Sequence, residues 1–142
     1  MAMSDREVEL ALQKKELRIT PPPSLVNPAG VDLRAEKKII LPAGSQKLAA
    51  TLERVELSDR ILGILHIRSS FAREGIIASL ALVDPGFKGQ LTISLHNAGE
   101  SRVIVRESER FVQLTFFRLG KRSQRSYKGR YQNSTGIVKS KR

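Results

Sequence analysis

The stretch Arg68–Gly99, RSSFAREGIIASLALVDPGFKGQLTISLHNAG, decides how the rest of the chain is read. Its last part alternates: Leu91, Ile93 and Leu95 fall on one side, and Gln90, Thr92, Ser94 and His96 on the other. Successive side chains of a strand point to opposite faces, so this period predicts a half-buried β-strand from Gln90 to Asn97. Ahead of it lies a corner, Asp84-Pro85-Gly86-Phe87, where proline fixes the backbone and glycine permits a tight turn. The opening Arg68-Ser69-Ser70 is a polar turn leading into one helical turn, Phe71 to Glu74, which Gly75 stops.

Outward from this stretch the period of two continues. Val31, Leu33 and Ala35 alternate with Asp32, Arg34 and Glu36, and Ile39 to Leu41 runs into the turn Pro42-Ala43-Gly44. Leu48 to Val55 and Ile61 to Ile67 flank the polar turn Ser58-Asp59-Arg60. Beyond Gly99 come Val103 to Arg106, an acidic turn at Glu107 to Glu109, and Phe111 to Arg118. Short strands at roughly ten-residue spacing predict an all-β sandwich or jelly roll. One short N-terminal helix is expected. Ser4-Asp5-Arg6-Glu7 is a capping box, and Val8, Ala11, Leu12 and Lys15 follow at helical spacing. The spacing predicts an amphipathic helix over 5–17 that Pro21-Pro22-Pro23 ends.

At 142 residues the chain is one domain with a core of its own. The absence of cysteine excludes disulfides, thiolate metal sites and a cysteine nucleophile. No apolar run approaches the ~20 residues that span a bilayer, and no signal-peptide core is present. No membrane partner and a cytoplasmic location are therefore expected. The net charge of +11 would suggest nucleic acid, but its distribution argues otherwise. Residues 118–142 hold nine Lys/Arg and no acid, leaving the first 117 residues 16 basic against 14 acidic. The chain thus divides into a near-neutral β domain, residues 1–120, and a basic tail, residues 121–142. Such a tail either solubilises the protein or closes as a flap on an anionic ligand.

The central stretch carries the candidate chemistry. Arg68, Ser69, Ser70 and Arg73 are donors suited to phosphate oxygens, or a helix cap beside surface arginines. Asp84 is a turn former or, beside a phosphoester, a group that takes a proton from water or helps hold a metal. Thr92 and Ser94, on the polar face of the strand, either line a pocket or meet solvent. No glycine-rich phosphate loop appears, and two histidines, His66 and His96, without cysteine do not make a structural zinc site.

Taken in order, RSSFAREG, VDPGFKGQLTISLHNAG, ERFVQLTFF and YKGRYQNSTG resemble the dUTPase and dCTP deaminase superfamily. SDREVELAL, RITPPP and NPAGVDLRA resemble its dCTP deaminase branch. The resemblance covers nearly the whole chain. It implies a distorted β jelly roll that assembles as a homotrimer with active sites at subunit interfaces. It implies that Arg68, Ser69, Ser70, Arg73 and Gln113 hold a triphosphate. It makes Asp84 the acid that contacts the sugar hydroxyl and activates water. Phe87 becomes the aromatic beneath deoxyribose. Tyr127, Arg130 and Tyr131 fall in a C-terminal lid, and Mg²⁺ bound through the triphosphate and water is the implied cofactor.

This sequence departs from the deaminase pattern at three places. Ser94 stands where deaminases carry a glutamate, and a hydroxyl without a partner base does not shuttle protons to the cytosine ring. The resemblance makes the segment between Gly75 and Asp84 a hairpin that reads the base in the family, and here it is about two residues shorter. Arg130 and Ser134 stand where deaminases usually show lysine and glutamine. The expected function is dUTP hydrolysis to dUMP and diphosphate with Asp84 as the catalytic acid–base group. The alternatives are dCTP deamination and a non-catalytic deoxynucleotide-binding protein of the same fold.

Overall fold

The structure, a computed structural model, describes residues 1–142. Helix α1 (Asp5–Gln13) is followed by β1 (Leu17–Thr20), β2 (Val26–Asn27), β3 (Gly30–Arg34), β4 (Ile39–Leu41), β5 (Gln46–Leu57) and β6 (Ile61–Ile67). Then come α2 (Ser69–Arg73), β7 (Ile76–Ser79), β8 (Leu82–Val83), β9 (Lys88–Asn97), β10 (Val103–Val105) and β11 (Arg110–Arg118). Two antiparallel sheets, ordered β1-β5-β9-β7 and β2-β3-β11-β6-β8, form a jelly-roll-like sandwich, with β10-β4 as a small third sheet. The inward residues of both large sheets, such as Ile93 and Leu95 of β9 and Leu114 and Phe116 of β11, join one core. The all-β expectation with one N-terminal helix holds, and no helix is long and apolar enough to cross a membrane.

Strand β5 ties the sheets together. Its pairing with β9 is interrupted between Ala50 and Arg54, where Thr51 instead bridges Ala35. Thr51 fixes the excursion: its hydroxyl donates to the Glu53 carbonyl at 2.8 Å and accepts from the Leu91 amide at 3.0 Å. Glu53 points inward and is fully buried, yet it is paired. It accepts from Arg34 Nε at 2.6 Å and from the Arg34 amide at 2.8 Å, joining β5 to β3. A buried carboxylate is tolerated only with such partners.

Helix α1 has the expected capping box. Ser4 accepts from the Glu7 amide, and the Glu7 carboxylate accepts from the Ser4 amide at 2.9 Å. The Ser4 backbone, then its side chain, hold the Glu7 carboxyl below the usual range. The helix ends at Gln13 rather than at residue 17, because Lys15 adopts a left-handed φ of 59°. Leu17 and Ile19 then alternate with Arg18 and Thr20 and pair with β5. The prolines therefore end a strand, not the helix.

The segment Gly75–Asp84 is not a hairpin. Its first half, β7, pairs with β9, placing Ser79 opposite Ser94. Its second half, β8, pairs with β6, placing Val83 opposite Gly63. Ile76 and Val83 are both buried, and each enters the core from a different sheet, so the chain crosses between sheets. Gly63 makes room for this: a Cβ there would lie 2.7 Å from Leu114 Cδ1 and 3.3 Å from Val83 Cβ. Asp32, on the polar side of the β3 alternation, is also buried.

Candidate active site

A cleft of ≈ 310 Å³ opens where the crossing segment leaves one sheet for the other. Ser79, Ala81, Leu82 and Val83 form one wall. Asp84 and Phe87 form its corner, and Gln90, Thr92 and Ser94 of β9 its floor. Tyr127, Tyr131 and Val138 of the tail cover it. The Asp84 corner is a closed turn, with the Phe87 amide donating to the Asp84 carbonyl at 3.1 Å and Gly86 at a φ of 85°. Asp84 is exposed, is the one carboxylate lining the cleft, and belongs to none of the ion pairs. Its oxygens are free for a ligand or water. Phe87 is buried and meets Tyr127 edge to face, centroids 5.6 Å apart and rings at 63°.

The tail occupies the side of β9 that β7 leaves open. The Asn133 amide donates to the Lys88 carbonyl at 2.7 Å, and the Gln90 amide to the Ser134 carbonyl at 2.9 Å. Gln132 clamps the corner, accepting from the Lys88 amide at 2.8 Å and donating to the Gly86 carbonyl at 2.9 Å. Gln90 and Thr92 also serve the tail: Gln90 Oε1 accepts from the Gly136 amide at 2.6 Å and Thr92 Oγ1 from the Val138 amide at 3.0 Å. Ser94 accepts from Gln46 Nε2 at 2.7 Å.

Of the residues singled out in the sequence, Asp84, Phe87, Thr92, Ser94, Tyr127 and Tyr131 share this cleft. Arg68, Ser69, Ser70, Arg73 and Gln113 do not line it. The first four sit where β6 enters α2, and Ser69, Ser70 and Arg73 are exposed. Gln113 stands on β11 between Asp32 of β3 and His66 of β6. Arg130 also lies outside the cleft and donates to the Lys141 carbonyl.

A residue that sequence reasoning missed organises this second group. Asp32, 6% exposed, accepts from Asn27 Nδ2 at 2.9 Å and pairs with Arg68 Nε at 3.3 Å and Arg110 Nη1 at 3.6 Å. Arg68 also donates to the Arg110 carbonyl at 3.2 Å, so its fork is held from two sides. The available signal was an acid inside NPAGVDLRA, but alternation alone assigns it to solvent. Gln132 and Gln90 were missed as clamps because glutamine carries no distinctive local pattern.

No cluster of three or more His, Cys, Asp and Glu could hold a metal ion. The donor set, one free carboxylate beside hydroxyls, suits a hard cation only when a ligand brings most of its oxygens.

The fold places the chain among the dUTPase-like jelly rolls. The solved dCTP deaminase of Agrobacterium tumefaciens superposes with a TM-score of 0.71 at 17% identity, over 84% of this chain and 49% of that one. A dCTP deaminase-like family profile matches residues 35–119, and the chain belongs to that family. It is 50% identical over 112 residues to a dCTP deaminase of Pyrococcus abyssi, covering 79% of this chain and 73% of the relative. It is 33% identical to a probable deoxyuridine 5'-triphosphate nucleotidohydrolase of Sulfolobus islandicus rod-shaped virus 1, covering 99% of both. The family is one of enzymes of deoxynucleotide metabolism.

Proposed function

We propose that this chain is a dUTP diphosphatase, converting dUTP and water to dUMP and diphosphate. The composition of the cleft carries this reading: Asp84 is its one carboxylate, and Ser94, not an acid, stands on the floor strand. Deamination needs a group that moves protons at the base, and a serine bonded to an amide is a poor one. Hydrolysis needs a single base beside a phosphate, which Asp84 supplies. Its carboxylate takes a proton from water as the water oxygen attacks the α-phosphorus. The bond from that phosphorus to the bridging oxygen breaks, and diphosphate leaves with the electron pair.

In this reading Phe87 lies beneath deoxyribose, the wall Ser79–Val83 meets the base, and Tyr127 and Tyr131 close over the nucleotide. Arg68, Ser69, Ser70, Arg73 and Gln113 hold the triphosphate, with Arg130 adding charge from the tail. Magnesium carried on the triphosphate would neutralise part of the charge developed there. Because Arg68, Ser69, Ser70, Arg73 and Gln113 lie outside the cleft of their own chain, each chain offers two half-sites. That arrangement supports a homotrimer in which the Arg68 corner of one subunit completes the Asp84 cleft of another. Mixing Arg68→Ala and Asp84→Asn subunits would then restore partial activity that neither variant has alone.

The Asp84→Asn variant tests the reading. Turnover of dUTP should fall by about 10²–10⁴, while affinity for α,β-imido-dUTP stays within a few-fold. Retained turnover would remove Asp84 from the chemistry. The 50% identity to the Pyrococcus abyssi protein favours a second reading, dCTP deamination, whose signature is ammonia release from dCTP.

A further inference from the structure

Ser94 has a contact that bears on which base the cleft accepts. On β9 it lies between Leu48 of β5 and Ser79 of β7, and both neighbours line the same cleft. It therefore stands on the floor beneath the crossing wall, toward the end of the cleft away from the Asp84–Phe87 corner. Its oxygen accepts the side-chain amide of Gln46 at 2.7 Å. A hydroxyl has one hydrogen and two lone pairs. No protein acceptor takes the Ser94 hydrogen, so with Gln46 donating to the oxygen that hydrogen is free to point into the cleft.

The edge of a pyrimidine farthest from the sugar carries the 4-substituent, an acceptor carbonyl in uracil and a donor amino group in cytosine. We propose that Ser94, oriented by Gln46, is a specificity-determining donor that recognises the 4-carbonyl of uracil and disfavours cytosine. This rests on the pyrimidine-nucleotide reading of the cleft given above. Cytosine could be met only by the second lone pair of Ser94, which turns the hydrogen away from the ligand to where no protein acceptor takes it, a cost by which polar sites disfavour near-isosteres. Gln46 is a positioning residue: by donating to the Ser94 oxygen it keeps the Ser94 hydrogen turned away from itself.

The affinity ratio for α,β-imido-dUTP over α,β-imido-dCTP, measured by calorimetry with Mg²⁺, tests this. Ser94→Ala should lower the ratio roughly three- to tenfold, the size of one lost hydrogen bond. Gln46→Glu should lower it as well, because a carboxylate takes the Ser94 hydrogen and turns lone pairs toward the cleft. Gln46 is exposed, so its replacement leaves folding intact. Any charge repulsion from the new glutamate weakens both ligands alike and cancels in the ratio. Ratios unchanged in both variants, with imido-dUTP still bound by the wild type, overturn the Ser94 assignment and leave the cleft reading standing. Failure of the wild type to bind either analogue overturns the cleft reading and the assignment with it.

Discussion

Replacing Gln132 by alanine should open the tail without unfolding the sandwich. Gln132 accepts from the Lys88 amide at 2.8 Å and donates to the Gly86 carbonyl at 2.9 Å and the Tyr127 carbonyl at 3.2 Å. A protein hydrogen bond contributes about 0.5–1.5 kcal/mol net. The third contact is long and the side chain only half-buried, so water recovers part of the loss, leaving roughly 1–2 kcal/mol. That corresponds to a tail opening roughly 5–30-fold more often. The rest of the tail's attachment, the Tyr127–Phe87 contact and the backbone bonds to β9, is untouched. Amide hydrogen exchange reads this directly, because local opening governs exchange of the amides it exposes. The Asn133, Gly136 and Val138 amides, which bond to Lys88, Gln90 and Thr92, should exchange faster by that factor. The Leu91 amide, bonded to buried Thr51, should keep its wild-type rate. Equal rates in wild type and variant at all four sites would refute the clamp. Acceleration at Leu91 as large as at Val138 would show that tail and sandwich open together.

Glu53→Ala should destabilise the protein by about 3–5 kcal/mol in urea unfolding, because it strips the acceptor from both the guanidinium and the amide of Arg34; a loss below 1 kcal/mol would contradict the stapling role. The capping box should give a pH-dependent increment. The folded Glu7 pKa lies below its unfolded value, so its stabilisation is present above ~4.3 and fades as pH falls through the folded value. The Tm difference between wild type and Glu7→Gln should therefore be largest near neutrality and close in acid; a gap that widened in acid would reverse the assignment.

The residues explain what was legible. The inward and outward alternation of β9 gave its buried face directly, and the capping box located the start of α1. The end of α1 escaped because Val8, Ala11 and Leu12 carry a helical spacing that Lys15 breaks only through its backbone angle. The crossing of β7 and β8 escaped for a different reason. Each strand is short, and partner choice depends on Gly63, distant in sequence, leaving space for Val83. The site divided in the same way. Asp84, Phe87, Thr92 and Ser94 are close in sequence and converge on one cleft. The Arg68 corner is organised by Asp32, whose burial alternation could not reveal.

The proposed function rests on one free carboxylate in the cleft and a serine, not an acid, at position 94. Its most direct measurement incubates the protein and Mg²⁺ separately with dUTP and with dCTP, following phosphorus species by NMR and ammonia by coupled assay. Hydrolysis at Asp84 yields dUMP and diphosphate from dUTP, with no ammonia from dCTP. Ammonia from dCTP with the triphosphate intact, and no diphosphate from dUTP, would contradict it.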